Sequence, residues 1–298
     1  MTRKNLDSLL SSRKSRIDNH LEKILKTKDY FAKNLYEAMH YSVSAGGKRL
    51  RPAIMLLIGD DLFAVKNHRG LLTAACSVEM IHTYSLIHDD LPAMDNDDFR
   101  RGLPTLHKKY DEATAILAGD ALFSLAIETF LNADNFKKEN LLKGISELMS
   151  AIGTGGMVAG QFVDTKASLF ERNFDTLKYI HMKKTASLIR ASFTLPAILL
   201  GKGENTVKKL SKLGAAAGML FQIVDDIIDV TQTSKVLGKT ARKDLKQNKL
   251  TYVSLFGLEE AKRMAEKEAD KALRASRALD FKSDSVEIMI DYFHKRIK

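Results

Sequence analysis

The sequence of 298 residues has no tryptophan, four prolines and a single cysteine, Cys76. One cysteine excludes a disulfide within the chain, and its apolar neighbours indicate a buried, inert thiol in a reducing compartment. No run of roughly 18 uninterrupted apolar residues is present, which argues against a membrane span. The charged N-terminal segment lacks the apolar core of a secretory signal, so we expect a cytoplasmic protein.

The scarcity of proline leaves a helical pattern running through the chain. Apolar residues recur at helical spacing, as at Leu117, Leu122 and Leu125, and strand signals are few. Residues 71–88 and 214–228 are apolar around most of the helix circumference, which is typical of central helices in a bundle. We therefore expect an all-α fold of about ten helices, with short loops near 59–61 and 131–135. No segment has the proline-rich or glycine- and serine-rich composition of a linker, so residues 1–298 are expected to form a single domain.

The net charge of +10 is compatible with nucleic acid, an anionic surface or small anionic substrates. Aromatic residues make up only 7% of the chain and fall mostly within apolar runs, which disfavours a nucleic-acid stacking surface. We expect neither a nucleic-acid partner nor a membrane span. The positions of the charges must distinguish the remaining possibilities.

Two acidic clusters follow apolar runs. The first, Asp89, Asp90 and Asp95, lies in LIHDDLPAMDNDDFRRG at 86–102. Pro92 lacks an amide donor and crowds the preceding turn, so the helix is expected to kink or end here. Asp89 and Asp95 therefore cannot stack by helical spacing, and we expect them to converge at that terminus.

The second cluster, Asp225, Asp226 and Asp229, is embedded in GMLFQIVDDIIDV. Asp225 and Asp229 are four residues apart, so like charges share one helix face and repel. A divalent cation would relieve that repulsion, and oxygen ligands favour Mg²⁺, which is completed by water and phosphate oxygens. One such cluster is as typical of a solvated helix end, but two facing one cavity would form a joint cation site.

Basic groups flank both clusters. AGGKRLRP contains Lys48, Arg49 and Arg51, FRRG contains Arg100 and Arg101, and HMKKTASLIR contains His181, Lys183, Lys184 and Thr185. Guanidinium groups bind phosphate oxygens in pairs and lysine adds a compact charge, so the combination indicates diphosphate binding. The glycine stretch at 153–161 fits no dinucleotide or phosphate-loop pattern and predicts close helix packing or a kink instead.

Seven segments, in order, resemble the signature segments of the trans-prenyltransferases, or polyprenyl diphosphate synthases: GGKRLRP, HTYSLIHDDLPAMDNDDFRRGLPTLH, GDAL, GGMVAGQ, KTASLI, FQIVDDIIDV and LGKTARKDLKQNKLTY. The likeness is closest to bacterial farnesyl diphosphate synthases. It implies the isoprenoid synthase fold, a helical bundle around a deep central cavity that is usually homodimeric. It also implies Mg²⁺-dependent condensation of isopentenyl diphosphate with dimethylallyl or geranyl diphosphate.

The resemblance also implies residue roles. Three Mg²⁺ would be held by Asp89, Asp95 and Asp225, supported by the second-tier acidic residues Asp90, Asp226 and Asp229. Isopentenyl diphosphate would be bound by Lys48, Arg51, His82 and Arg101. The allylic diphosphate would contact Arg100, Lys184, Thr185, Gln222 and Lys239. Thr185 and Gln222, with the backbone carbonyl of Lys184, would stabilise the developing carbocation.

Product length is expected to depend on the residues one helical turn before Asp89. Tyr84 and Ser85 precede it by five and four residues, and an aromatic side chain there would form a floor under the growing chain. This favours a fifteen-carbon farnesyl product, while a twenty-carbon geranylgeranyl product stays open. The alternative is that Tyr84 is an ordinary core aromatic residue and does not limit product length. A non-catalytic regulatory subunit is the alternative from another class, although both acidic clusters are complete.

The sequence departs from the family pattern at two positions. Arg242 stands where many relatives have glycine, and Ala186 follows the Lys184–Thr185 pair where glycine is frequent. Neither is expected to contact a ligand.

Overall fold

A computed structural model describes residues 3–27, 29–65, 68–231 and 249–296. Helices dominate these residues, and the only strands in the described ranges are two of two residues each. The all-α prediction is therefore confirmed, although the chain forms more helices than the ten or so that we expected. Two compact units can be distinguished: an N-terminal unit of residues 7–56 and 67–136, and a C-terminal unit of residues 1–6, 57–66 and 137–298.

The N-terminal unit is built from helices that pack on a central pair. They are α2 (Lys33–Ser44), α4 (Arg69–Asp89), α5 (Leu106–Lys109) and α6 (Glu112–Leu131), together with most of α1 (Arg3–Ile24) and the first part of α3 (Leu50–Asp61). Helix α4 packs along α6, and α2 packs on both. A Cβ atom at Gly119 of α6 would lie 2.2 Å from Nε2 of His88 on α4. The absence of a side chain at Gly119 thus leaves room for the His88 ring between the two helices.

Strands β1 (Phe99–Arg100) and β2 (Leu103–Pro104) form a small antiparallel hairpin that the sequence analysis missed. Its two turn residues, Arg101 and Gly102, have φ values of 54° and 79°. Positive φ at both central residues is the conformation that a tight two-residue hairpin requires. The hairpin follows the first acidic cluster directly.

The C-terminal unit contains the remaining helices, and the long α11 runs through its contacts. The helices are α7 (Lys138–Ile152), α8 (Met157–Thr165), α9 (Phe174–Ile180), α10 (Ser187–Leu199), α11 (Glu204–Thr231), α12 (Tyr252–Phe256), α13 (Leu258–Ser276) and α14 (Ser285–Lys295), with a 3₁₀ turn at Ala167–Leu169 and a π-helix at His181–Ala186. Helix α11 packs against α10, α13, α14 and the π-helix. Helix α11 therefore carries the second acidic cluster and contacts the π-helix that contains Lys184, Thr185 and Ala186.

One of the two expected loops is wrong. Residues 59–61 form the last turn of α3, and the chain leaves the helix only after Asp61, where the amide of Val65 donates to the carbonyl of Gly59 at 2.9 Å. Glycine and aspartate are compatible with a final helical turn as well as with a loop. The second loop is confirmed from Asn132 onward, because α6 ends at Leu131.

Helix α6 is long and apolar enough, by length and composition, to cross a bilayer, and it is the one such helix in the described residues. Central helices of water-soluble bundles have the same composition. Ala115, Ala118, Leu122 and Ala126 of this helix are fully buried. The expected burial of Cys76 is confirmed, since its side chain is fully buried and burial raises the pKa of its thiol.

Candidate active site

The first acidic cluster lies where α4 ends. The helix stops at Asp89, three residues before Pro92, as the sequence predicts. The chain then turns back on itself, so that the amide of Asp95 donates to the carbonyl oxygen of Asp89 at 2.8 Å. The expected convergence of Asp89 and Asp95 is therefore present at the level of the backbone.

The third residue of the first acidic cluster, Asp90, has a buried side chain. Nε of Arg100 lies 2.8 Å from both oxygens of its carboxylate. A carboxylate that accepts a guanidinium in this way has its charge compensated within the protein. The pair ties strand β1 to the end of α4, so Asp90 and Arg100 together fix the start of the hairpin.

The turn of that hairpin reaches the GGKR segment. Nη1 of Arg101 donates to the carbonyl of Gly46. Gly47 has φ of 121°, and a Cβ atom there would lie 2.7 Å from Cζ of Arg101. The glycine pair therefore leaves room for a guanidinium group directly beside Lys48, which is exposed. Two of the basic motifs singled out in the sequence thus come together in one unit.

Arg49 is one of the basic residues expected to form a diphosphate cradle, but it is buried and anchors this turn from the interior. Its guanidinium donates to Asp18 at 2.8 Å and to Glu79 at 2.9 Å, and the side chains of Arg49 and Glu79 are only 3% and 2% exposed. Arg49 adopts φ of 49°, a left-handed conformation. Its side chain is therefore buried while that of the preceding Lys48 stays at the surface.

His82 lies on α4 among the basic groups. Burial is the main cause that lowers the pKa of its imidazole well below the ordinary value, and the nearby guanidinium groups of Arg51 and Arg101 lower it further. A neutral imidazole at this position can donate or accept a hydrogen bond. The expected isopentenyl diphosphate residues Arg51, His82 and Arg101 are thus electrostatic neighbours.

Tyr84 and Ser85 precede the acidic cluster as expected. The ring of Tyr84 makes edge contacts with His88 at 5.8 Å and with Phe123 of α6 at 5.2 Å between centroids. Burial, with a smaller contribution from Asp89, raises the pKa of Tyr84 to about 12. The Ser85 hydroxyl donates to the carbonyl of His82 at 2.9 Å. The aromatic group at this position is therefore held by packing.

The second acidic cluster lies on the unbroken helix α11, with three different surroundings. Asp225 is paired with Nη2 of Arg296 at 2.7 Å. Asp226 is buried and accepts from the Gln222 amide at 3.1 Å and from the backbone amide of Tyr252 at 2.8 Å. Asp229 is also buried. Asp226 and Gln222 thus hold each other and fix the start of α12.

Lys184 and Thr185 lie in the π-helix between α9 and α10. A π-helix adds a residue to the turn and is frequent at functional sites because it disturbs the regular i to i−4 bonding. Nζ of Lys184 pairs with Asp164 of α8 at 2.6 Å. Burial alone would raise the pKa of Asp164, but Lys184 and Lys249 lower it below the ordinary value. Asp164 is a partner that the sequence analysis missed, although it follows GGMVAGQ by three residues.

Glycines allow two helices to approach this π-helix. A Cβ atom at Gly160 of α8 would lie 2.1 Å from the backbone nitrogen of Lys184, and one at Gly218 of α11 would lie 2.7 Å from Cα of Ala186. The close packing predicted for the stretch at 153–161 is thus confirmed. Ala186 is 1% exposed, so its methyl group fills space beside Gly218.

His181 begins the π-helix and is buried against Tyr252, with ring centroids 5.3 Å apart. Its Nε2 lies 3.7 Å from Oδ2 of Asp226. Burial, opposed by Asp164 and reinforced by Lys184, lowers the pKa of His181 to about 3. The imidazole is therefore neutral and lies beside the Asp226 carboxylate.

The chain matches known proteins over most of its length. The sequence profile described as polyprenyl synthetase matches residues 32–289. The chain belongs to the polyprenyl synthetase family of prenyltransferases. It is 47% identical over 262 residues to the large subunit 1 of a heterodimeric geranylgeranyl pyrophosphate synthase of Arabidopsis thaliana, covering 85% of this chain and 68% of the relative. It is 49% identical over 233 residues to a geranylgeranyl pyrophosphate synthase of Capsicum annuum, covering 78% of this chain and 63% of that protein.

Solved structures of similar polyprenyl synthetases share the fold. A geranyltransferase of Helicobacter pylori, complexed with magnesium and isoprenyl diphosphate, has a TM-score of 0.85 at 35% identity and covers 100% of this chain and 98% of that chain. An FPP/GFPP synthase of Zymomonas mobilis has a TM-score of 0.85 at 33% identity, covering 97% and 99%. The isoprenoid synthase fold predicted from the motifs is thereby confirmed.

Carboxylate oxygens are the donors that Mg²⁺ prefers, so the two acidic clusters fit Mg²⁺ better than a metal that takes thiolate or imidazole ligands. In the described residues no three histidine, cysteine or carboxylate groups are gathered as a metal cage. Magnesium commonly takes one or two carboxylates and completes its octahedron with water and substrate oxygens. The Asp89–Asp95 terminus and Asp225 are suited to that mode. Lys239 and Arg242 lie outside the described residues, so the role expected for Lys239 stays a prediction.

Proposed function

We propose that this polyprenyl synthetase joins isopentenyl diphosphate to an allylic diphosphate and that geranylgeranyl diphosphate is its chief product. The observation that carries the reaction is the chain of contacts in the N-terminal unit. The terminus bearing Asp89 and Asp95 is tied through Asp90 to Arg100, and the next residue, Arg101, lies on the GGKR turn. Carboxylates suited to Mg²⁺ and cations suited to phosphate are thus fixed by one hairpin.

In this proposal the charged residues neutralise two diphosphates. Asp89, Asp95 and Asp225 would hold Mg²⁺ ions, three in number by the family resemblance, and bound Mg²⁺ would neutralise the leaving diphosphate. Lys48, Arg51, His82 and Arg101 would orient isopentenyl diphosphate. Arg100, Lys184 and Lys239 would contact the allylic diphosphate. Preorganised charges of this kind stabilise the departing anion without reorganising during the reaction.

The π-helix would serve the carbocation. Thr185, Gln222 and the carbonyl of Lys184 would direct oxygen dipoles toward the allylic carbon as its bond to oxygen breaks. The isopentenyl double bond then attacks that carbon, and loss of a proton to the departed diphosphate restores an alkene. These reaction steps need no side-chain base. Apolar walls that exclude water protect the carbocation.

Product length has two candidates, each favoured by a separate observation. The plant relatives at 45–49% identity are named geranylgeranyl synthases, which supports the twenty-carbon product. The packed ring of Tyr84 five residues before Asp89 supports the fifteen-carbon product, and similar structures at 31–35% identity are named geranyltransferases. We give more weight to the higher identity. Separation of the dephosphorylated products by chain length distinguishes the two.

The reaction is tested by single carboxylate variants. Asp95→Asn and Asp225→Asn should each reduce kcat/KM by about 10²–10³, the cost of losing one preorganised electrostatic contact. The control is Asp98→Asn, which lies three residues from Asp95 and pairs with Lys108 at the surface at 3.0 Å. Retention of wild-type activity in both test variants would contradict the proposal. A silent regulatory subunit would show no condensation in any of these proteins.

We further propose that the protein acts as a homodimer in the cytoplasm. One face of α6 leaves large apolar side chains exposed, with Ile116, Leu117 and Leu131 at 44%, 59% and 43%. Exposed apolar patches of this kind are typical of subunit interfaces. Sedimentation should give twice the mass of one 33.3 kDa chain, and Leu117→Asp should shift it toward the monomer. A wild-type protein that sediments as a monomer at micromolar concentration would contradict the homodimer.

A further inference from the structure

Arg296, the residue after helix α14, is seated on the second acidic cluster. Its Nη2 lies 2.7 Å from Oδ1 of Asp225, and its guanidinium carbon lies 4.7 Å from the centroid of Phe221. Phe221 and Asp225 are four residues apart on α11 and therefore share one face of that helix. A ring and a carboxylate one turn apart form a matched receptor for a guanidinium group, which stacks on aromatic faces while it donates to oxygen.

Packing of α14 on α11 fixes the position of Arg296. Phe293 of α14 is 1% exposed and meets Phe221 edge-on, with centroids 5.4 Å apart. The side chain of Arg296 is 18% exposed, whereas that of its neighbour Lys295 is 58% exposed and pairs with Asp291 of its own helix. Arg296 is therefore held against Asp225 by the same contacts that attach α14 to α11.

We propose that Arg296 is an internal counter-ion of Asp225 which a divalent cation must displace. The inference rests on the proposed function, because it requires Asp225 to be a ligand of Mg²⁺. A guanidinium group beside a carboxylate opposes the approach of a second cation by like-charge repulsion. Without metal, Arg296 relieves the repulsion that Asp225 would otherwise impose on its neighbours in α11. With metal, the guanidinium leaves, so cation binding is coupled to release of the end of α14.

The strength of the Arg296–Asp225 pair sets how much it weakens the binding of a divalent cation to Asp225. Asp225 is 36% exposed, so the pair is screened and contributes as a partly exposed ion pair. The apparent affinity of the cluster for a divalent cation should then be reduced by about two- to five-fold relative to a chain without the guanidinium.

The test uses Mn²⁺ as the probe, with free Mn²⁺ measured by electron paramagnetic resonance. The full chain carries Asp89→Asn and Asp95→Asn, so that the bound ion reports on Asp225. In this background Arg296→Gln should bind Mn²⁺ about two- to five-fold more tightly. Arg296→Lys retains the charge and should stay close to the parent, as should the control Lys295→Gln.

Two outcomes overturn the inference in distinguishable ways. If Arg296→Gln binds Mn²⁺ with the same or lower affinity than the parent, Arg296 does not compete with the cation, and the metal role of Asp225 is unaffected. If Asp225→Asn leaves Mn²⁺ binding unchanged in the same background, Asp225 is not a metal ligand. That result contradicts the proposed function first and this inference with it.

Discussion

The substitution Gly160→Ala should separate the stability of this protein from its activity. The added Cβ would lie 2.1 Å from the nitrogen of Lys184, 2.7 Å from its Cα and 2.8 Å from the carbonyl carbon of Lys183. All three are backbone atoms of the π-helix, so no flexible side chain can move aside. The π-helix and α8 must separate by about 1 Å to restore ordinary contact, since real Cβ atoms do not approach that closely.

The effect on stability should be small because two contributions oppose each other. Overpacking costs about 1–3 kcal/mol, while alanine in place of a helical glycine contributes about 1 kcal/mol of stability. The effect on the reaction should be larger. A displacement of about 1 Å in the groups that position a substrate can reduce the rate by about 10². Lys184 and Thr185 move with the π-helix, so kcat should fall by about that factor.

The assay compares kcat for product formation with the free energy of unfolding in urea. Gly155→Ala is the matched control, because apart from its own chain neighbours no atom of the described residues lies within 4 Å of the position its Cβ would take. It should leave both quantities close to wild type. If Gly160→Ala retains wild-type kcat, the placement of Lys184 and Thr185 by close packing is refuted. If it instead loses more than about 3 kcal/mol of stability, the backbone has not relaxed as the reasoning requires.

Three other predictions concern the N-terminal unit. Glu79→Gln should lower the free energy of unfolding by about 3 kcal/mol or more, because it leaves the buried Arg49 poorly compensated, whereas Asp18→Asn should cost less than half as much since Asp18 is 31% exposed; equal losses in urea titrations would contradict this. Tyr84→Ala should leave twenty carbons as the chief product, because a ring that limited growth would already have stopped the chain at fifteen carbons, and a lengthened product would show that the ring is a floor. Stability should fall as pH drops below about 6.5, because unfolded His82 takes up a proton that the folded form, with its lowered pKa, does not. His82→Gln should flatten that slope between pH 7 and pH 5, and an unaltered slope would contradict it.

Local chemistry explains which parts of the site could be predicted. The end of α4 follows from Pro92, which disrupts the helical turn that precedes it. The close approach of the Asp89 and Asp95 backbones could therefore be predicted. The continuity of α11 follows from its apolar periodicity without proline. Both depend on residues close together in the chain, where propensity and hydrogen bonding dominate.

Other parts depend on residues far apart in the sequence. Arg49 contacts Asp18 and Glu79, which are 31 and 30 residues away, and no local pattern marks it as the buried member of KRLR. The pairing of Asp164 with Lys184 spans 20 residues in the same way. The loop expected at 59–61 was wrong because composition alone cannot distinguish a final helical turn from a coil. The departure at Ala186 is accommodated by Gly218, whose missing side chain leaves the space that the alanine methyl fills.

The most direct test of the central claim is incubation of the purified protein with isopentenyl diphosphate and dimethylallyl or geranyl diphosphate, with Mg²⁺ or with a chelator. The dephosphorylated products are then separated by chain length. We predict a Mg²⁺-dependent prenyl alcohol from both starters, with twenty carbons as the chief product. A fifteen-carbon product would contradict the chain length and favour the Tyr84 floor. Absence of any condensation with Mg²⁺ present would contradict the enzymatic function itself.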